Sequence, residues 1–231
     1  MKSPAGIRLE AVARHYRTAS GLVRALDGVT VDVEPGGSLA ITGPSGCGKS
    51  TLLGLVGGLD RPTSGRVVVG GVEISRMPAR ARSALRRKHV GLVFQSDNLL
   101  PYLTAFENVA LPLALCALDD GAGRCLELLA QLGLAECAGK LPDQMSGGQR
   151  HRVAVARALV DRPAVILADE PTGAVDTDNA GIIIDALLTA QRSTGATLVV
   201  VTHDVDVAHR LGRSLSLADG RLAEHRAGLG T

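Results

Sequence analysis

The chain has 231 residues, 45% of them hydrophobic, which is enough to bury the core of one compact α/β domain with a modest added lobe. Aromatic residues make up only 2%, so we expect a core of Val, Leu, Ile and Ala. The net charge of +2 is too small to indicate nucleic-acid binding through bulk electrostatics. No run reaches the roughly 18–20 apolar residues that a membrane span needs, and residues 1–10 lack the apolar segment of a signal peptide. We therefore expect a cytoplasmic protein, for which any role at a membrane requires a partner chain.

The first third of the chain has the pattern of strands around one Gly-rich loop. Residues 7–16 and 29–33 alternate as half-buried strands do, and residues 38–42 form a short apolar run. Residues 49–56 then have the pattern of a helix, and residues 65–74 that of a strand pair around two adjacent glycines. A strand, a Gly-rich loop and a helix are therefore predicted to follow one another directly.

This Gly-rich loop fits the phosphate-binding pattern G-x-x-x-x-G-K-[ST]. Its glycines leave backbone N–H groups free to curl around phosphate oxygens, and the helix after it presents its positive N-terminal end. Lys49 is expected to reach the β- and γ-phosphates, and the hydroxyl of Ser50 to ligate Mg²⁺. A chance Gly-rich turn is the alternative, and the motif alone does not separate an ATPase from a GTPase or a kinase. The predicted nucleotide contacts of this segment are Gly43, Pro44, Ser45, Gly46, Cys47, Gly48, Lys49, Ser50 and Thr51.

The pattern changes to helices between about residues 96 and 140. Residues 90–94 form another buried strand that ends at Gln95, and beyond it residues 105–111 and 124–132 carry apolar positions at helical spacing. A further helix follows Ser146. We therefore predict an α/β core into which a helical subdomain is inserted.

Two carboxylates follow an apolar strand late in the chain. Residues 165–168 and 198–201 have the unbroken apolar pattern of buried parallel strands, with a helix over residues 177–190 between them. The first of these strands delivers Asp169 and Glu170 to the phosphate side of the sheet. Asp169 is placed to hold Mg²⁺ through water, and Glu170 to polarise the attacking water. An acidic pair that caps a strand is the alternative, since such pairs are common.

A second Gly-rich loop, Met145-Ser146-Gly147-Gly148-Gln149, precedes a helix. Ser146 is a good N-cap residue, and the two glycines leave backbone amides open to an anion. A simple helix cap is the alternative. Because the chain already has one phosphate loop, we expect this second anion site to meet a nucleotide that is held elsewhere.

With these blocks in this order, the chain resembles the nucleotide-binding subunit of ABC transporters over essentially its full length. The resemblance implies an α/β fold of the P-loop NTPase type: an ABC ATPase core with a RecA-like parallel sheet and an antiparallel β subdomain, and an inserted helical subdomain. It implies one nucleotide-binding domain over residues 1–231, with the core at about 1–95 and 152–231 and the helical subdomain at about 96–151. ATP and Mg²⁺ are the implied cofactors, and ATP hydrolysis is the implied activity.

The resemblance also implies roles for single residues. Tyr16 lies where the family has an aromatic residue that stacks on adenine, with a strand aromatic in the core as the alternative. Gln95 matches the glutamine that senses Mg²⁺ and touches the membrane partner, and His203 matches the switch histidine that contacts the γ-phosphate. Asp176 matches the loop that crosses the dimer interface. The expected catalytic residues are Lys49, Gln95, Glu170 and His203, and the expected Mg²⁺ ligands are Ser50, Gln95 and Asp169.

The family pattern further implies two kinds of protein partner. One is a second copy, in a head-to-tail dimer where each ATP lies between the phosphate loop of one protomer and the second Gly-rich loop of the other. Ser146 and Gly148 would contact the γ-phosphate across this interface, beside Gly147 and Gln149. The complete site set favours a homodimer, with a heterodimer with a paralogue as the alternative. The other partner is a transmembrane permease subunit, docked near Gln95 and the helical lobe, which would hold the chain at the inner face of the cell membrane.

Residues 93–101 and 169–173 are similar to the branch that contains lipoprotein-release, macrolide-export and division-site ABC ATPases. The expected function is ATP hydrolysis that powers export or mechanotransmission through a separate transmembrane subunit. A division-site regulatory ATPase and a soluble ABC ATPase are the alternatives, and a small P-loop kinase would leave the second Gly-rich loop unexplained. The departures from the family pattern are Asp97 for an aromatic residue, Met145 for Leu, Arg150-His151 for Gln-Gln, and Ala174-Val175 for Asn-Leu.

A basic run between the strand pair and residue 90 allows two interpretations. It has the composition of a solvated helix face, and it could also lie near anionic lipid headgroups. The run comprises Arg76, Arg80, Arg82, Arg86, Arg87 and Lys88.

Overall fold

Two β-sheets organise the fold in the computed structural model, which describes residues 5–19, 21–116, 121–173, 175 and 177–224. The first sheet is antiparallel and has four strands: β1 (Ile7–Thr18), β2 (Gly21–Val33), β4 (Ser64–Val69) and β5 (Val72–Glu73). Their spatial order is β2-β1-β4-β5. This sheet is the predicted antiparallel β subdomain.

The second sheet has six strands and includes the strands that precede the predicted phosphate loop and the predicted acidic pair. They are β3 (Ser38–Thr42), β6 (Val90–Val93), β7 (Val165–Asp169), β8 (Thr197–Val201), β9 (Ser214–Ala218) and β10 (Arg221–Glu224). The order is β10-β9-β3-β8-β7-β6, parallel from β9 to β6, with β10 antiparallel to β9. Parallel strands need both faces covered, which explains why β7 and β8 are almost unbroken runs of apolar residues.

Seven α-helices connect these strands within the described residues. They are α1 (Lys49–Val56), α2 (Ala79–His89), α3 (Ala105–Leu115), α4 (Ala122–Gln131), α5 (Gly147–Leu159), α6 (Thr177–Thr194) and α7 (Val205–Leu211). Two short 3-10 helices lie at Ala135–Cys137 and Pro142–Gln144. The predicted boundary of the helical subdomain at residue 151 falls inside α5. None of the helices built from the described residues is both long and apolar enough to cross a membrane.

The core is aliphatic, as the composition predicts. One apolar cluster joins the helical segment to one face of the six-stranded sheet, and a second fills the space between the two sheets. Ile41, Leu52 and Leu167 of the second cluster are each at most 1% exposed. Fully burying one such side chain contributes about 1.5–3 kcal/mol. The parallel order brings the carboxyl ends of β3, β7 and β8 to one edge of the sheet, where ligands of open α/β folds bind.

Several elements differ from the sequence prediction. β2 begins at Gly21 rather than near residue 29, and its first four residues pair with the end of β1. The prediction missed this part of the strand because these four residues are all exposed and carry no alternation. The prediction also missed α7, β9 and β10, which have only seven, five and four residues. Elements this short leave little periodicity for a sequence pattern to show.

The basic run lies on α2 and just before it, and it is only partly solvated. Arg82 is 8% exposed, and its guanidinium donates to the carbonyl oxygens of Gly58 and Met77 at 3.3 and 2.9 Å. Arg86 also donates to the Gly58 carbonyl, at 3.1 Å. These two arginines therefore bind the backbone just after α1. The exposed members of the basic run are Arg76, Arg80, Arg87 and Lys88.

Candidate functional site

The phosphate loop connects the end of β3 to the start of α1. Gly43 and Gly48 have φ values of 147° and 107°, which side-chain-bearing residues rarely adopt. A Cβ at Gly48 would lie 2.1 Å from the Ala25 carbonyl oxygen, and one at Gly43 would lie 2.1 Å from the Leu217 carbonyl oxygen. Glycine is therefore required at both positions for the loop to pack against its neighbours.

Lys49 opens α1 and bends back over this loop. Its Nζ donates to the carbonyl oxygens of Gly43 and Pro44, each at 2.9 Å, and the residue is 8% exposed. Of the other loop residues, Cys47 is buried, whereas the segment of Pro44, Ser45 and Gly46 is exposed. The loop thus presents its backbone to solvent with an ammonium group fixed at its centre, an arrangement suited to phosphate oxygens.

Asp169 ends β7 next to this loop. The hydroxyl of Ser50 lies close enough to its carboxylate to affect its pKa. Burial raises the pKa of Asp169, and the neighbouring charge of Glu170 raises it further, while the Ser50 hydroxyl and the Lys49 ammonium lower it. Burial is therefore the main reason that ionisation of this carboxylate is disfavoured in the folded protein.

Glu170 follows directly and faces His203. The Nδ1 of His203 lies 2.8 Å from Glu170 Oε2, and the backbone N–H of His203 donates to the same oxygen at 3.4 Å. Glu170 has φ 48°, a strained value for a residue with a side chain, and its N–H donates to the Val201 carbonyl. The pairing of β7 with β8 therefore brings together two predicted catalytic residues that are 33 positions apart in the sequence.

The second Gly-rich loop starts α5 with a capping box. The Ser146 hydroxyl accepts from the Gln149 N–H at 3.2 Å, and the Gln149 side-chain oxygen accepts from the Ser146 N–H at 2.9 Å. Ser146 and Gly147 are exposed, and Gly148 is partly so. A Cβ at Gly148 would lie 3.6 Å from a methyl group of Val175, so this end of α5 packs beside the segment that follows β7.

The remaining predicted site residues lie on other elements. Gln95 is exposed, just after β6. Tyr16 lies near the end of β1, where its hydroxyl donates to Asp60 Oδ2 at 3.0 Å and the guanidinium carbon of Arg14 lies 4.3 Å from its ring centre. Asp176 lies outside the described residues.

Arg14 and Asp60 are residues that the sequence did not single out. Arg14 Nε donates to Asp60 Oδ2 at 2.8 Å, the same oxygen that Tyr16 uses. Arg14 and Asp60 therefore fix the orientation of the Tyr16 ring. Arg14 lies two positions before Tyr16 and so on the same face of the strand, but no spacing in the sequence points to Asp60.

The oxygen ligands of this site fit a magnesium ion. Mg²⁺ prefers oxygen ligands and keeps several waters, with one or two protein groups and the substrate phosphates completing its shell. The Ser50 hydroxyl and the partly buried Asp169 carboxylate lie close to each other. No cluster of three or more His, Cys, Asp and Glu side chains that could hold a metal ion occurs among the described residues.

The chain is similar in sequence to known proteins over most of its length. The family model described as ABC transporter matches residues 26–173. The lipoprotein-releasing system ATP-binding protein LolD of Xanthomonas euvesicatoria is 44% identical over 225 residues, which cover 96% of this chain and 92% of that protein. The macrolide export ATP-binding/permease protein MacB of Hyphomonas neptunium is 45% identical over 222 residues, which cover 95% of this chain but 34% of that protein.

A solved structure has the same fold. It is the dimeric structure of a post-hydrolysis state of the ATP-binding cassette MJ0796 bound to ADP and Pi, with a TM-score of 0.89 and 38% identity. The match covers 94% of this chain and 97% of that one. The predicted fold class is thereby confirmed.

Proposed function

The chain belongs to the ABC transporter family and is an ATP hydrolase of that family, and we propose that it powers export through a separate membrane subunit as one half of a head-to-tail homodimer. The relatives named for lipoprotein release and macrolide export support the export role. A heterodimer with a paralogue remains the alternative assembly.

One observation gives the main support for the proposed dimer: the second Gly-rich loop is exposed on a chain that also has a complete phosphate loop. Ser146 and Gly147 are exposed at the N-terminus of α5, which lies near the segment that follows β7, whereas the phosphate loop follows β3. Because β8 lies between them, β3 and β7 are about 10 Å apart. A second protomer in the opposite orientation would bring its Ser146 to the phosphate loop of the first. The dimeric state of the MJ0796 cassette supports this arrangement.

In the proposed mechanism, the phosphate loop binds the nucleotide and Glu170, which follows β7, acts on the attacking water. Backbone N–H groups of residues 43–48 and the Lys49 ammonium hold the β- and γ-phosphates. Glu170, with one oxygen bound to His203, accepts a proton from the attacking water through its carboxylate. His203 is 72% exposed at its side chain and is thus free to contact a γ-phosphate.

In this mechanism, separate sets of residues contact Mg²⁺ and the adenine of the nucleotide. Ser50, Asp169 and Gln95 would hold Mg²⁺, which neutralises charge that develops on the phosphates. Tyr16 offers its ring to adenine, in the orientation that Arg14 and Asp60 fix.

A groove beside Gln95 is the proposed contact for the membrane subunit. It has a volume of about 420 Å³ and lies between α2, β6, α3 and α5, and its walls are mostly apolar with three arginines and Asp161. Exposed apolar residues flank the Gln95 segment, including Leu100 at 44% and Tyr102 at 90%. A partner helix with an apolar face and an acidic end would fit this groove, and would keep the chain peripheral to the inner face of the membrane.

The partner's identity separates transport from mechanical signalling. We would purify the Glu170→Gln protein with ATP from detergent-solubilised native membranes and identify co-purified chains by mass spectrometry, with Lys49→Ala as the control that should not bind nucleotide. A polytopic partner supports the proposal, and its extracytoplasmic domain would separate an exporter from a division-site regulator that carries no cargo. Recovery of soluble partners only would contradict the membrane role and favour a soluble ABC ATPase.

A further inference from the structure

An exposed apolar side chain lies directly across from Tyr16 in the first sheet. In the register of β1 with β2, Tyr16 pairs with Val23, and the next pair along the strands is Arg17 with Leu22. Directly paired residues of antiparallel strands project from the same face of the sheet, with Cβ atoms about 4.5–5.5 Å apart. Val23 is therefore a neighbour of Tyr16 on one face, and it is 48% exposed there.

The face that Tyr16 and Val23 share is directed towards α1, the helix that follows the phosphate loop. The Tyr16 hydroxyl donates to Asp60, which lies just after α1. The N–H of Asp60 in turn donates to the carbonyl oxygen of Gly54, within α1, at 3.3 Å. Since α1 begins at Lys49, one helix connects the phosphate loop to the residue that holds the Tyr16 ring.

β2 makes a second connection to the phosphate loop. Ala25, two residues after Val23, lies at an irregularity where the pairing of β2 with β1 shifts register. Its carbonyl oxygen lies so close to Gly48 that a Cβ there would be 2.1 Å away. The position of Val23 relative to the phosphate loop is therefore fixed by the packing of Ala25.

One face of the Tyr16 ring is already covered. The guanidinium carbon of Arg14 lies over the ring, 4.3 Å from its centre, and Arg14 Nε donates to Asp60. Because this cation–π contact occupies one face, a nucleotide base can stack only on the other.

We propose that Tyr16 and Val23 together form an apolar platform for the base of the nucleotide, in which Val23 is a binding residue and Arg14 a positioning residue. The proposal rests on the role proposed for Tyr16 above. A base that stacks on the ring would also remove the exposed methyl groups of Val23 from water, which is favourable. We call Tyr16 and Val23 the base platform.

The first test is the affinity for ADP, measured by isothermal titration calorimetry with Mg²⁺. ADP has the base but no γ-phosphate, so its binding does not depend on Glu170 or on a dimer. Val23→Ala should raise the Kd about 5-fold, because methyl groups that the base covers are lost. Val23→Ile keeps an apolar side chain and should leave the Kd within about 2-fold of wild type. Leu22→Ala is the matched control, because it truncates an exposed apolar residue on the opposite face of the same strand.

Arg14→Gln should raise the Kd for ADP about 3-fold, because the Tyr16 ring loses the group that holds it. Arg8→Gln, which removes an exposed ion pair with Asp32 from the same strand, should leave it unchanged. Pyrophosphate has no base, so its Kd should be unchanged in all these variants. Unchanged ADP affinity in Val23→Ala, an equal loss in Leu22→Ala, or an equal loss of pyrophosphate affinity would overturn the proposal.

The second test is NMR, which the composition makes simple. The chain has two tyrosines and no tryptophan, so ¹³C-tyrosine gives two sets of ring signals, assigned by Tyr16→Phe. ADP should shift the ring signals of Tyr16 and, in valine-labelled protein, the methyl signals of Val23, because of the ring current of a stacked base. Pyrophosphate should shift neither. A shift of Tyr16 alone would remove Val23 from the platform, and a shift of neither would also contradict the role proposed for Tyr16. Neither test involves turnover, so a failure of Glu170 as the general base would leave both results unchanged.

Discussion

His203 Nδ1 lies 2.8 Å from Glu170 Oε2, so the two residues expected to act on the γ-phosphate and its attacking water are hydrogen-bonded to each other. A carboxylate can only accept, and the Nδ1 of His203 is therefore the donor. This bond leaves Nε2 of an exposed ring free for a further partner. The orientation of the Glu170 carboxylate thus depends on His203.

Glu170→Gln should bind ATP but turn it over slowly. An amide cannot accept the proton of the attacking water, and loss of a general base costs about 10²–10⁴-fold in rate. Phosphate release and ATP binding, measured separately, check this. Glu107→Gln is a matched control, because Glu107 caps α3 and glutamine serves equally in a capping box. Normal turnover in Glu170→Gln would remove Glu170 as the base.

His203→Ala should lower kcat by about 10-fold or more, because Glu170 loses the donor that orients it. ATP affinity should change less, since the phosphate loop and Lys49 are unaffected. His209→Ala, an exposed histidine in the last turn of α7, provides the control for loss of an imidazole from the same helix-and-loop region. Equal kcat values for His203→Ala and His209→Ala would show that the contact between His203 and Glu170 does not contribute to catalysis.

Gly48→Ala should destabilise the protein far more than Gly46→Ala. Both glycines have positive φ, which costs an alanine about 1–2 kcal/mol. A Cβ at Gly48 would also overlap the Ala25 carbonyl, whereas one at Gly46 meets nothing within 4 Å. We expect a loss of unfolding free energy above about 3 kcal/mol for Gly48→Ala in urea denaturation. Similar losses for both variants would contradict the close packing of the loop.

Asp169→Asn should stabilise the protein, measured without nucleotide and with a chelator, increasingly as pH rises. Burial raises the pKa of Asp169 in the folded state, so the folded protein holds this proton more tightly than the unfolded chain. Ionisation of Asp169 therefore lowers the free energy of unfolding as pH rises from the ordinary pKa of Asp169 through its raised pKa in the folded protein. Urea denaturation between about pH 4 and pH 8 checks this. Mg²⁺-dependent ATP binding should weaken in the same variant, and a destabilised Asp169→Asn at the upper pH would contradict the account.

The sequence predicts those parts of the site that follow from short local patterns. The phosphate loop with the helix after it, the apolar run of β7 that ends in two carboxylates, and the N-cap at Ser146 all lie where they were expected. The parallel sheet then follows from the alternation of apolar strands and helices. The roles of the individual site residues remain predictions.

Contacts between distant segments were not accessible from the sequence. Asp97 and His151 stood out only as departures from a family pattern, and nothing in their spacing of 54 positions indicates that they meet. Tyr16 was identified by its position, but Asp60, which fixes its ring, was not. Such pairs depend on how α5 packs and on which strands are neighbours, and these are properties of the tertiary fold.

The central claim is that ATP joins two copies of the chain through Lys49 of one and Ser146 of the other. The most direct test is the mass in solution of the Glu170→Gln protein, by light scattering after gel filtration, with and without ATP. We predict twice the monomer mass with ATP, and a monomer when Ser146→Arg is added to the same chain. A monomer with bound ATP in the Glu170→Gln protein, or a dimer that persists with Ser146→Arg, would contradict the account.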